Sequence, residues 1–264
     1  MNIIRIDTPD DGRIAAYRDI RERDLVGRQG RFIAEGTVVL DVLLGAARFE
    51  AESALVLENR LEGIGPTLAK GPRNLPVYVA SRAVMDAIAG FPIHRGVLAV
   101  GLRRMEDDLQ SFVSSLPQRA TILVAVGIAN HDNMGAIFRN AAAFGADAVI
   151  IDTESCDPLY RKSIRVSVGA ALKVPYVGGG AVEDIVATLG REGFRQLALS
   201  PSGTTSVRDV TRSDRTALYL GTEGEGLPLP LLSTLETVRI PMAAGFDSLN
   251  VAVASAIALH ELTG

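Results

Sequence analysis

The first hundred residues of the chain alternate between two hydrophobic patterns. Short apolar runs of the strand type are separated by segments in which apolar residues recur at the helical spacing. These patterns predict strands at 53–58, 77–80 and 96–101, and helices at 34–44 and 81–90. In the second helix Ser81 is a candidate N-cap, and Gly90 is a candidate end. We therefore expect a small α/β domain here.

Residues 102–119 interrupt the alternation because they are polar and charged. We interpret them as a linker between a domain at 1–101 and a second domain at 120–264.

The second domain begins with a continuous apolar run, which is typical of a strand buried on both faces. The remaining patterns predict strands at 121–128, 147–152, 194–200, 216–220 and 237–241, helices at 134–145, 159–172, 181–190 and 246–262, and a turn at 178–180. This order predicts an open, mainly parallel sheet with helices on both faces. In such sheets ligands bind at the carboxyl ends of the strands.

Composition narrows the class of protein. The 264 residues are 47% hydrophobic and 22% charged, which is typical of a compact globular chain. One cysteine and three scattered histidines do not predict a metal site. The charged residues within 1–11 do not fit a signal peptide, and the longest apolar run, 251–259, is too short to span a membrane. We expect a cytoplasmic protein that binds neither membrane nor metal.

The charge does not favour nucleic-acid binding by the chain as a whole, since the net charge is −4. Positive charge is nevertheless clustered, with six arginines between Arg13 and Arg31 and a second group at Arg161, Lys162 and Arg165. Each cluster alone is explained more simply by solvated helix faces. The glycine-rich fingerprints of dinucleotide and nucleoside triphosphate sites do not occur in the sequence. A nucleotide-like ligand would need other loops.

The first candidate loop leads from the strand at 121–128 into the next helix. Asn133 lies at this transition, Gly135 in the first helical turn, and Arg139 one turn later on the same face. A glycine inside a helix costs about 1 kcal/mol relative to alanine, which suggests close approach to the backbone. The arginine offers a planar, permanently charged group suited to phosphate. The alternative is that Asn133 only caps the helix and Arg139 is solvated.

Two further loops follow later strands. The strand at 216–220 ends in a turn with Gly221, Glu223, Gly224 and Gly226, whose glycines expose backbone groups to a ligand. The strand at 237–241 leads to Asn250, which we place in the first turn of a helix that is apolar nearly all round. A buried amide there needs partners, although Asp247 or Ser248 could simply cap this helix.

Together the three loops resemble the motifs of the SpoU (TrmH-type) branch of the SPOUT methyltransferases. The pattern N-x-G-x-x-x-R-x-A matches Asn133 to Ala141, G-x-E-G-x-G-L matches Gly221 to Leu227, and I-P-M…S-L-N-V-x-V-A matches Ile240 to Ala254. The resemblance covers 120–262 strongly. It departs from the family at Ala244, where glycine is common, and at Ala252, where serine is common.

The resemblance implies a C-terminal SPOUT α/β-knot, a deep trefoil knot, with a smaller N-terminal L30e-like domain that binds RNA. It implies S-adenosyl-L-methionine as the cofactor and a homodimer formed through the C-terminal domain. The cofactor-binding residues it implies are Leu220, Gly221, Ile240, Met242 and Leu249. The catalytic residues it implies are Arg139, Asn133, Glu223, Ser248 and Asn250.

The activity that the resemblance implies is methylation of a ribose 2′-hydroxyl, most simply in ribosomal RNA of the 23S type. Arg139 would remove the proton or stabilise the forming alkoxide; the second is physically easier, because a guanidinium is not deprotonated in proteins. A tRNA ribose is the competing substrate. Two functions of a different class also fit the pattern, a non-catalytic RNA-binding protein that retains the fold and an α/β enzyme with a different nucleotide ligand.

Overall fold

A computed structural model describes residues 2–18, 26–27, 29–46, 48–89, 96–104, 107–222 and 224–264. The chain forms two compact units. The first comprises Met1–Met105 and Pro158–Lys173, and the second Glu106–Asp157 and Val174–Gly264. The sequence did not foresee that 158–173 joins the first unit. The domain boundaries at 101 and 120 stay a prediction.

The first unit is built on a five-stranded mixed sheet in the order β1-β4-β3-β5-β2. Its elements are β1 Asn2–Ile6, β2 Arg31–Glu35, α1 Thr37–Gly45, β3 Glu50–Leu57, α2 Gly65–Leu68, β4 Pro76–Ala80, α3 Arg82–Ala89 and β5 Val97–Leu102. Strands β1, β4 and β3 are parallel, whereas β5 is antiparallel to both β3 and β2. The core between sheet and helices is apolar, with Ile14, Leu55 and Met85 fully buried.

The predicted strands of this unit are confirmed by β3, β4 and β5. Ser81 accepts a hydrogen bond from the Val84 amide at 3.3 Å, as expected of an N-cap. Gly90 lies outside the described residues. The helix predicted at 34–44 begins only at Thr37, because Ala34 pairs with β5 and Gly36, at φ 95°, turns the chain.

The remaining helices and strands follow in chain order, and all of them belong to the second unit except α6 and α7, which belong to the first. These elements are α4 Leu109–Ser114, β6 Ala120–Ala125, α5 His131–Phe144, β7 Ala148–Asp152, α6 Arg161–Val166, α7 Ala170–Lys173, β8 Tyr176–Gly180, α8 Val182–Arg191, β9 Arg195–Leu199, β10 Thr205–Ser206, β11 Arg215–Leu220, α9 Leu229–Thr234, β12 Glu236–Arg239 and α10 Val251–Thr263. Helix α4 lies inside the segment interpreted as a linker, and its Val113 is buried in the core of the second unit.

The seven strands of the second unit form a parallel sheet in the order β10-β12-β9-β11-β6-β7-β8. The predicted parallel sheet is therefore confirmed. Strand β11 is inserted between β6 and β9, which precede it in the chain, so its two edges are both paired. The knot and the L30e-like identity of the first unit stay predictions.

Two local predictions were wrong. The glycines at 178–180 lie in β8 and not in a turn. Position 179 requires glycine because of packing, since a Cβ there would lie 2.7 Å from side-chain atoms of Ile150 and Ile185. The helix expected at 159–172 is broken between α6 and α7, where Val168 and Gly169 have φ of 53° and 84°.

Within the described ranges, every helix is too short or too polar to traverse a bilayer. In the same ranges no three His, Cys, Asp or Glu side chains come together in a way that could hold a metal ion.

Candidate functional site

A cavity of about 290 Å³ lies at the carboxyl ends of β9, β11 and β12, which are neighbours in the sheet. The loops that follow these parallel strands meet at one edge, where open α/β sheets bind ligands. The described lining residues are Leu199, Ser200, Pro201, Leu220, Gly221, Thr222, Gly224, Glu225, Gly226, Leu227, Leu232, Ile240, Met242, Asp247, Ser248, Leu249, Val251 and Ala254. The volume is close to the lower limit of about 300 Å³ that is usual for pockets of small organic ligands.

The cavity brings together every residue predicted to bind the cofactor. These residues are Leu220, Gly221, Ile240, Met242 and Leu249. Ser248, one of the predicted catalytic residues, also lines the cavity, and its hydroxyl donates to Asp247 at 3.4 Å. The roles of these side chains stay predictions, but their grouping is a fact of the fold.

The turn after β11 folds back on the end of its own strand. The amide of Thr222 donates to the carbonyl of Gly226 at 3.2 Å, and the amide of Gly226 donates to the carbonyl of Thr222 at 3.1 Å. A Cβ on Gly221 would lie 2.4 Å from the backbone of Gly226 and Leu227. Only glycine fits here, so the cavity wall at this point is bare backbone. Glu223 lies outside the described residues.

A second glycine joins this turn to the loops after β6 and β7. Gly127 has φ 67°, and its amide donates to both carboxylate oxygens of Asp152, at 3.1 and 3.0 Å. A Cβ on Gly127 would lie 2.8 Å from the methyl group of Thr222. The next amide, that of Ile128, donates to the Ser155 hydroxyl at 2.8 Å.

Neither the Gly127 contact nor the lining residues 199–201 were predicted. The only sequence signals for them were a glycine near the end of the apolar run at 121–128, which the structure ends at Ala125, and the Ser-Pro at 200–201.

The side chains of Asn133 and Asn250 meet beside the cavity. The amide group of Asn250 donates to the side-chain oxygen of Asn133 at 3.1 Å, and Asn250 stands between Leu249 and Val251, which both line the cavity. Asn133 is 6% exposed. The helix containing it is capped by Asn130, whose side chain accepts from the Asp132 amide. The interpretation of Asn133 as only a cap is therefore wrong.

Asn250 also caps α10, a function that we expected of Asp247 or Ser248. Its side-chain oxygen accepts from the amides of Ala252 and Val253, at 2.9 and 3.3 Å, so it is the N-cap of α10. Capping by Asp247 or Ser248 was thus a wrong expectation. Asn250 is also exposed and precedes the helix, whereas we expected it to be buried in the first turn.

A further amide links α5 to α10. Asn140 donates to the Ala252 carbonyl at 2.6 Å and to the Ser255 hydroxyl at 2.9 Å. Ser255 is fully buried and also donates to Ala252, at 2.8 Å. The family often has serine at position 252, whereas here Ala252 is connected to α5 through its backbone carbonyl. We did not predict this connection, although Asn140 and Ser255, two polar residues in largely apolar helices, were a signal for it.

Arg139 is exposed on α5, six residues after Asn133, and is not part of the cavity lining. At the rise of an α-helix this separation is about 9 Å along the axis. The structure thus brings Asn133, Ser248 and Asn250 to the cavity or its border, whereas the catalytic role of Arg139 stays a prediction.

The sequence matches the SpoU rRNA Methylase family over residues 120–260, a range that contains all three loops. The chain belongs to this family. An uncharacterized tRNA/rRNA methyltransferase of Mycobacterium bovis is 39% identical over 97% of this chain and 90% of its own length. The 23S rRNA (guanosine-2′-O-)-methyltransferase RlmB of Escherichia coli is 30% identical over 70% of this chain and 77% of its own length.

The fold of this SpoU-family chain also occurs in a solved structure, the AdoMet-bound rRNA methyltransferase from Sinorhizobium meliloti. The two structures align with a TM-score of 0.83 over 98% of this chain and 97% of the other, at 23% sequence identity. At that identity the likeness establishes the fold alone. The predicted enzyme class, an RNA methyltransferase of the SpoU family, is confirmed by the family match and the relatives.

Proposed function

We propose that this SpoU-family chain transfers the methyl group of S-adenosyl-L-methionine to a ribose 2′-hydroxyl of ribosomal RNA. The observation that carries the proposal is the cavity, because its wall joins the five residues predicted to bind the cofactor and borders the Asn133–Asn250 pair. One relative and one protein of the same fold support it. The Escherichia coli protein is named as a 23S rRNA 2′-O-methyltransferase, and the Sinorhizobium meliloti protein was crystallised with AdoMet.

The cavity suits the methyl donor chemically. Leu220, Ile240 and Met242 provide apolar walls for a flat adenine ring, and the bare backbone at Gly221 leaves peptide groups accessible. Its described lining includes two carboxylates, those of Glu225 and Asp247, and no lysine, arginine or histidine. Such a wall favours a ligand with positive charge. When bound, S-adenosylmethionine supplies an electrophilic methyl group on a sulfonium for in-line attack by an oxygen.

The protein must align the attacking hydroxyl and stabilise the charge that develops on it. We assign charge stabilisation and phosphate anchoring to the permanently charged Arg139. The Asn133–Asn250 pair fixes the start of α5 against the start of α10, and with Ser248 it borders the reacting hydroxyl. Glu223 completes the proposed set by orienting Arg139.

We also propose a homodimer formed through the C-terminal domain. Helix α10 is rich in alanine and valine, and Val253 on it is 49% exposed. Small side chains allow two backbones to approach closely, so this helix suits a subunit interface.

A tRNA ribose is the second candidate substrate. The relative from Mycobacterium bovis favours keeping it, since its name includes both tRNA and rRNA.

The test is transfer of a labelled methyl group to unmodified 23S rRNA and tRNA transcripts, followed by mapping of the 2′-O-methylated nucleotide. Arg139→Ala is expected to lower turnover by about 10²- to 10³-fold, the usual effect of removing one charge-stabilising group, while S-adenosylhomocysteine still binds in calorimetry. Arg212→Ala, at another exposed arginine of the same unit, is the matched control.

Three outcomes separate the competing functions. Near-normal methylation by Arg139→Ala removes Arg139 from the mechanism. Binding of RNA without transfer by the wild-type protein identifies a non-catalytic RNA-binding protein. Binding of NAD or ATP in preference to S-adenosylhomocysteine identifies a different nucleotide enzyme.

A further inference from the structure

Phe246 presents an exposed aromatic ring in the loop between β12 and α10. Its exposed fraction is 72%, and it is the only aromatic residue among the large exposed apolar side chains of the described residues. Leaving such a ring in water forgoes about 1.5–3 kcal/mol of burial free energy. The backbone that carries the ring is fixed, because the Phe246 amide donates to the Ala243 carbonyl at 3.2 Å in a turn where Gly245 has φ 85°.

This turn forms part of the rim of the cavity. Met242 precedes it and Asp247 and Ser248 follow it, and all three line the cavity. The residues 243–245, 247 and 248 that flank the ring are exposed and are either small or polar. The core of a subunit interface is a packed group of apolar side chains, whereas Phe246 stands alone in its segment. A flat partner fits these surroundings better than a second protein surface.

We propose that Phe246 stacks on the base of the nucleotide whose ribose is methylated. The inference depends on the proposed function, because ribose chemistry determines where the base must lie. The base is attached to C1′, next to the C2′ that carries the reacting hydroxyl. A ribose that presents this hydroxyl to the cavity therefore brings its base to the rim. Exposed aromatic side chains bind unpaired RNA bases by stacking, and every base offers a face for it.

The first experiment uses the absence of tryptophan from the sequence. Phe246→Trp introduces the only tryptophan of the chain at the rim, and addition of the transcript that the wild-type protein methylates should quench its fluorescence, excited selectively over that of the five tyrosines, in a saturable way. Leu229→Trp is the control, because Leu229 is 80% exposed in the same unit but does not line the cavity. Equal quenching of both reporters would overturn the inference, since it would show general surface contact only.

The second experiment measures the energetic contribution. Phe246→Ala is expected to raise the KM for RNA by about 5- to 150-fold, the range for loss of one stacked base, with unchanged affinity for S-adenosylhomocysteine. Phe246→Leu should show the same loss and Phe246→Tyr should not, because stacking needs a ring. Wild-type KM in Phe246→Leu, or dissociation of a dimer by Phe246→Ala in sedimentation, would refute stacking.

The failures can be told apart. If the wild-type protein methylates neither transcript, the proposed function fails. If the wild-type protein is active and the Phe246 variants match it, only the stacking inference fails.

Discussion

The turn after β11 and the junction between α5 and α10 border the same site but fix its geometry in opposite ways. At the turn, position is set by the absence of a side chain, since a Cβ on Gly221 would collide with the backbone of Gly226 and Leu227. At the junction, position is set by side-chain amides, with Asn250 on Asn133 and Asn140 on Ala252 and Ser255. We therefore expect the turn to be disrupted when side-chain atoms are added, and the junction to be weakened when side-chain atoms are removed.

The strongest test of this difference adds one methyl group to the turn. Gly221→Ala must displace the backbone of 226–227, because the methyl carbon would lie 2.4 Å from it. We expect the affinity for S-adenosylhomocysteine to fall by more than about 100-fold, and the free energy of unfolding to fall by about 1–3 kcal/mol as in other overpacked sites. Calorimetry and urea unfolding measure the two effects.

Gly224→Ala is the matched control for that variant. A Cβ at Gly224 meets no protein atom within 4 Å, so the free energy of unfolding should stay close to that of the wild type. Equal losses in both variants would mean that the turn needs flexible glycines in general, and the steric argument for Gly221 would then be wrong.

The next test removes atoms from the junction. Asn140→Ala leaves the buried Ser255 hydroxyl and the Ala252 carbonyl without their shared donor. We expect the free energy of unfolding to drop by about 1–3 kcal/mol, since two hydrogen bonds are lost and each contributes about 0.5–1.5 kcal/mol, with only a small change in ligand affinity. The double variant Asn140→Ala/Ser255→Ala should lose less in urea unfolding than the sum of the two single losses, because Ser255 is one of the two partners of Asn140. A double variant whose loss is the sum of the single losses would contradict the coupling.

A smaller effect is expected at the Asn133–Asn250 pair. Asn250→Ser keeps an N-cap oxygen but removes the amide that donates to Asn133, so about 0.5–1.5 kcal/mol of unfolding free energy should be lost. Asn250→Ala removes the cap as well and should lose about 1 kcal/mol more. If the serine and alanine variants are equally stable in urea, the capping function assigned to Asn250 is wrong.

The smallest effect concerns Cys156, whose amide donates to Ile128 at 2.8 Å next to the Gly127 contact. Burial raises the pKa of its thiol to about 12, above the usual value of about 8.5. The neutral thiol therefore stabilises the folded state fully below about pH 8.5, and this stabilisation is lost as the pH rises towards 12. Between pH 8 and 10 the wild type should lose slightly more stability than Cys156→Ser.

The same thiol reports on the turn. Iodoacetamide should modify Cys156 slowly in the wild type and faster in Gly221→Ala, since displaced loops expose it. An unchanged rate in that variant would show that the turn moves independently of the loops after β6 and β7.

Features of the fold and of the site could be predicted from the sequence where a short segment carries the signal by itself. Apolar periodicity predicted the parallel sheet, because each strand of such a sheet carries its own continuous apolar run. The resemblance of the three motifs to a known family predicted six residues that meet at the cavity, Leu220, Gly221, Ile240, Met242, Ser248 and Leu249. Arg139, which the same resemblance singled out, does not line it. Residues 199–201 and Asn140 were missed because their partners are distant in sequence. The glycines of β8 were misjudged for a related reason, as only the packing of Ile150 and Ile185 requires Gly179.

The insertion of β11 between β6 and β9 has a consequence for the order of assembly during synthesis. A ribosome-bound chain that has not reached residue 215 exposes the unpaired edges of β6 and β9, which are templates for aggregation. The glycine turn and the loop between β12 and α10 emerge after that point. The cavity can therefore form only after the residues from Arg215 onward have left the exit tunnel, and a product terminated before them lacks the proposed binding site of the methyl donor.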